Sequence, residues 1–126
     1  MIRPLADGEA ALAREVFGAA LRLNDIRFLG SPWPFDRAFV PGRWFGRDWI
    51  VWPKKTLEPD LSRAPLRTQA VFIHELVHVW QAQSGLNIEQ QAMVVEHRFI
   101  LSRGGRAPAN QAFYDRVCPL AHRMEI

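Results

Sequence analysis

The chain has 126 residues, 48% of them hydrophobic, with a formal charge of +3 and a pI near 9.7. That length supplies one core and makes a multidomain reading of residues 1–126 unnecessary, since a chain of this size buries somewhat under roughly 70% of its unfolded surface. A single cysteine, Cys118, excludes an internal disulfide and reads as a small buried hydrophobe, and no apolar run is long enough to cross a membrane.

In chain order, Asp7 is placed to cap a helix from about Gly8 to Leu23, with Ala11, Leu12, Val16, Phe17, Ala20 and Leu21 at helical spacing. Asp7, Glu9, Arg14 and Glu15 interrupt any apolar leader, so a cytoplasmic protein is expected, or one exported without a cleaved signal peptide. From Asp25 to Pro53, short runs at Ile26, Phe28, Phe39-Val40 and Trp49 to Trp52 alternate with Gly30, Pro32, Pro34, Gly42 and Gly46. They predict a small, twisted, mostly antiparallel sheet. Pro65 suits the first turn of a helix running to Ser84-Gly85, and Asn87 is a good N-cap for a second helix, with Gln90 three residues on. Those two form a helical hairpin. Gly104-Gly105 close the second helix, and Pro108 opens a short terminal one. The class is α+β.

The chemistry concentrates in His74-Glu75-Leu76-Val77-His78. Positions 74 and 78 are about one helical turn apart, so both imidazoles leave one face, with Glu75 beside them. This is the HExxH pattern, in which two imidazole nitrogens hold Zn²⁺ and the glutamate deprotonates the water that the metal activates. Ala70 to Ile73 before the motif, and Leu76, Val77, Val79 and Trp80 through it, make the rest of the helix apolar. Burying a glutamate and two imidazoles without partners costs several kcal/mol, so a metal explains the trio better than accident.

Catalytic zinc takes a third protein ligand. Gln81 and Ser84 stand where a metzincin needs glycine and histidine, which excludes that family. In an antiparallel hairpin turning near Leu86, Glu96 falls at the level of the histidines and is the first choice. Glu89 is the rival, lying nearer the turn but on the same face seven residues earlier, and His97 is rotated about 100° away from that face. By analogy with zincins, Asp48 to Trp52 is the candidate strand for pairing with substrate backbone. Tyr114, His97 and His122 are chemically able to stabilise an oxyanion, but none is assigned.

The run Phe72 to Gln81, followed by Gly85 and then Glu89-Gln90-Gln91-Ala92, resembles the small zincin domains found beside Rhs- and Vgr-related proteins and in contractile injection system core proteins. The resemblance covers residues 65–102 well and the N-terminal part loosely. It implies a gluzincin-like metallopeptidase fold, association with a secreted effector or toxin system, and a stronger standing for Glu89. The expected function is a zinc-dependent peptidase with Glu75 as general base, acting on a peptide or protein and possessing a secretion-system or toxin partner. The alternative is a non-catalytic zincin-fold adaptor in such an assembly. Arg43 to Lys55 interleaves basic and aromatic residues in a way that suits nucleic acid. A hairpin whose tryptophans fill the core accounts for it better, so neither nucleic acid nor membrane is expected as a partner.

Overall fold

A computed structural model describes residues 1–84 and 89–118, except the side chains of residues 84, 89, 90 and 117. Strand β1 (Ile2–Pro4) precedes helix α1 (Asp7–Phe17), and β2 (Ile26–Ser31), β3 (Phe39–Trp44) and β4 (Arg47–Pro53) follow. Helices α2 (Leu66–Ser84), α3 (Glu89–Ser102) and α4 (Gln111–Val117) complete the α+β architecture.

The strands lie in the order β1-β2-β4-β3. β1–β2 and β3–β4 are antiparallel, while β2 and β4 run parallel, with Phe28 opposite Ile50, because β3 folds back on the outer side of β4. The sheet is therefore mixed. β4 is interior and β3 is an edge. Alternation sends Ile26, Phe28, Ile50 and Trp52 towards the helices, where all four are buried. Phe28 meets the rings of Trp52 and Phe72 at 6.0 and 5.8 Å, joining sheet to α2. Each large side chain of this core contributes about 1.5–3 kcal/mol by leaving water.

α1 is shorter than its apolar spacing predicts. It stops at Phe17 because Gly18 takes φ 58, and the chain then runs through a 3₁₀ turn, Leu23–Asp25, into β2. Nor does Asp7 cap it. Ala6 is the N-cap, and the Glu9 carboxylate accepts from the Ala6 N–H at 2.8 Å. The Pro59–Pro65 approach to α2 holds a 3₁₀ turn, Leu61–Arg63, whose Asp60 cap accepts from the Ser62 N–H and hydroxyl.

α2 is buried along Ala70, Phe72, Ile73, Leu76, Val77, Val79 and Trp80, as its composition requires. α3 lies against it through Ala92, Val95 and Phe99. The expected cap at Asn87 lies outside the described residues. α3 ends two residues before Gly104, which has φ 81, and α4 opens at Gln111 under an Asn110 cap that accepts from the Phe113 N–H, three residues beyond Pro108. Cys118 is buried, with the Arg98 guanidinium 3.8 Å from its sulfur. Among the described residues no helix is long and apolar enough to cross a membrane.

Candidate metal centre

His74 and His78 stand one turn apart on α2, with ring centroids 5.0 Å apart and planes at 69°. Each ring is held through its Nδ1. The Glu96 Oε1 lies 2.7 Å from Nδ1 of His74, and the Gln81 Oε1 lies 2.9 Å from Nδ1 of His78. Gln81 is fully buried, and its Nε2 donates to the Gln91 Oε1 at 3.0 Å, which orients the amide with its oxygen towards His78. A carboxylate and an amide oxygen only accept, so in both pairs Nδ1–H is the donor. The lone pair of each imidazole is then on Nε2. In the neutral imidazole this tautomer suits ligation of a metal through Nε2, and it is set by the partner on the other nitrogen.

Glu75 is 6% exposed and lines a cleft of about 580 Å³ together with His74, His78 and Ala82 of α2. That volume lies in the ordinary range for ligand sites. The opposite wall is Arg37 with Phe39, Pro41 and Gly42 of β3. Asp48 to Trp52, the strand expected to meet substrate, is β4, and both its edges are already paired with β2 and β3. β3 holds the position instead, because an edge strand keeps one row of backbone donors and acceptors available. Arg43 anchors that wall, donating to Asp48 at 2.9 Å and Asp25 at 3.0 Å, and its guanidinium holds the Asp25 carboxyl below the usual carboxylate range. Gln83 of α2 donates to the same Asp48 carboxylate at 2.8 Å, tying β4 to the motif helix.

The other candidates divide. Glu96 reaches His74, as the hairpin register places it, but at the nitrogen opposite the one that a metal would take. Glu89 opens α3, and its side chain lies outside the described residues, as does His122. His97 and Tyr114 contact each other, with the tyrosine hydroxyl 3.2 Å from Nδ1 of His97, and neither lines the cleft. Among the described residues no group of three or more His, Cys, Asp and Glu gathers around one point. The donor set fits zinc for two ligands and a base. Gln81 and Gln91 were missed by sequence reasoning, although Gln81 stands three residues after His78 on a helix where a buried amide needs a partner.

No protein-family model matches the chain. By sequence it is similar to the type VI secretion system spike protein VgrG2b of Pseudomonas aeruginosa, 34% identical over 94 residues, which are 68% of this chain and 8% of that protein. By structure it is similar to the effector domain of Pseudomonas aeruginosa VgrG2b, with a TM-score of 0.57 and 26% identity over 86% of this chain and 59% of that chain. The chain thus spans a small fraction of the spike protein and somewhat over half of the effector-domain chain, and the likenesses of sequence and fold relate it to the same VgrG protein.

Proposed function

We propose that the chain is a zinc-dependent peptidase module of a secretion-system effector. One observation carries the reading: a single buried helix presents two imidazoles, each fixed through Nδ1, into the same cleft as a glutamate. His74 and His78 would hold the metal through Nε2, with the third protein ligand taken from α3, where Glu96 and Glu89 are the candidates. Bound there, zinc supplies Lewis acidity and lowers the pKa of water to about 7.

The chain's own groups supply the rest. Glu75 accepts a proton from the attacking water and returns it to the leaving amine nitrogen. Edge strand β3 receives an extended peptide along the cleft and aligns its scissile carbonyl with the α2 face. Gln81 keeps His78 in one tautomer and one orientation, and Glu96 does the same for His74 where Glu89 is the third ligand. The likeness to the VgrG2b effector domain supports the place in a secretion system and a partner there.

The test is hydrolysis of a broad peptide library by zinc-loaded protein, with chelated protein and Glu75→Gln as controls. Cleavage that chelation stops, zinc restores and Glu75→Gln lacks is the expected result. Stoichiometric zinc without cleavage of any peptide would instead favour the adaptor.

A further inference from the structure

Helices cover one face of the four-stranded sheet, and the outward positions of the other hold Ile2, Leu29, Trp49 and Val51. The β3–β4 turn extends this face with Trp44, 59% exposed, and Phe45, 95% exposed. Together they border a hollow of about 260 Å³ lined by apolar side chains only. The tryptophans expected in the core therefore divide: Trp52 is inside, while Trp44 and Trp49 face out. The ground for expecting no membrane contact goes with them.

Phe45 makes the face harder to dismiss. It has φ 54 and is followed by Gly46 at φ 72, the backbone of a two-residue turn whose first position favours Asn, Asp or Gly. Backbone preference and solvation both disfavour phenylalanine there, and among the described residues no packing offsets them. The charges complete the pattern. Outward strand positions carry Arg27 and Arg47 and no carboxylate, and exposed Lys55 follows β4. A second copy would set cations against cations, and although Trp44 and Phe45 could stack on bases, the aliphatic remainder of the face, Ile2, Leu29 and Val51, suits hydrocarbon and not a nucleic acid. An anionic headgroup layer over hydrocarbon matches both the cations and the apolar tip.

We propose that this face docks on an anionic lipid bilayer, with Trp44 and Phe45 inserted at the interface. Pro41 of edge strand β3 borders both the hollow and the cleft, so the docked face adjoins the cleft across that strand. The docking does not depend on zinc or on peptidase activity.

Flotation of the full chain with vesicles of phosphatidylglycerol and phosphatidylcholine, or of phosphatidylcholine alone, tests it. Wild type should float with the anionic vesicles, roughly tenfold more weakly with neutral ones, and less at high salt. Phe45→Asn suits the turn, so it should melt no lower than wild type yet bind roughly tenfold more weakly, and Trp44→Ala should do the same to binding. Wild type ignoring anionic vesicles, or Phe45→Asn binding undiminished, would overturn the proposal. Loss of a dimer, or of single-stranded DNA binding, in the same variants with no vesicle binding by wild type would reassign the face and likewise end the lipid reading.

Discussion

Glu9 and Glu75 are both glutamates removed from solvent, 0% and 6% exposed, and they stand in different settings. Glu9 is saturated: Arg3 donates to both its oxygens at 2.8 Å, the Ala6 N–H to Oε1 at 2.8 Å and the Leu61 N–H to Oε2 at 2.7 Å. It staples β1, α1 and the turn before α2 into one unit. Glu75 sits at the wall of an open cleft between two imidazoles. Burial alone thus says nothing of function. What sets Glu75 apart from Glu9 is that it also lines a space where a substrate fits.

The sharpest way to break that contrast is to neutralise each glutamate isosterically. Glu75→Gln should lower peptide hydrolysis roughly 10²–10⁴-fold while shifting stability by less than about 1 kcal/mol, read by turnover beside urea unfolding. Glu9→Gln should do the reverse. It leaves Arg3 facing no charge and puts an amide N–H against a backbone donor, so a loss of about 3–5 kcal/mol is expected with activity per folded molecule unchanged. A Glu9→Gln protein as stable as wild type would remove the structural half of the comparison.

Between these extremes stand the groups that orient the histidines. Glu96→Ala and Gln81→Leu should each weaken zinc binding about 10–100-fold, measured by competition with a chromogenic chelator, with the fold kept by circular dichroism. Complete loss of metal in Glu96→Ala would make Glu96 a ligand, and the same result in Glu89→Ala would give that place to Glu89.

The smallest effect belongs to Asp60. Losing this cap should destabilise Asp60→Ala by about 1 kcal/mol at neutral pH. Hydrogen bonds from the Ser62 hydroxyl, and secondarily from its backbone N–H, hold the Asp60 carboxyl below its ordinary value of 3.8. A depressed folded pKa stabilises above the unfolded value and loses that contribution as pH falls through the folded one. The gap between wild type and Asp60→Ala should therefore be constant above about pH 5 and close in acid below 3.8. A gap that persists in acid would place the cap's value in packing instead.

The motif helix, its hairpin partner and three of the strands were legible because each rests on local periodicity or a capping residue. β1 was not, since three residues ending in Pro4 show no alternation. The edge position of β3 was hidden for a different reason. Strand order depends on which strands meet in space, and Asp48 to Trp52 carries the stronger β pattern because it is interior. Trp44 and Trp49 misled in the same way: a period of two assigns residues to two faces without saying which face the helices cover. At the site, His74, Glu75 and His78 were visible as a motif, whereas the Gln81–Gln91 contact joins two helices across the hairpin and has no local signal beyond the i, i+3 spacing.

In the proposed site His74 and His78 share one cation, with Glu75 beside it and not bound to it. Zinc content of purified wild type, His74→Ala and Glu75→Gln, measured by atomic emission, tests this most directly. One zinc per chain is expected in wild type and Glu75→Gln and none in His74→Ala. Zinc retained at full stoichiometry by His74→Ala would contradict it.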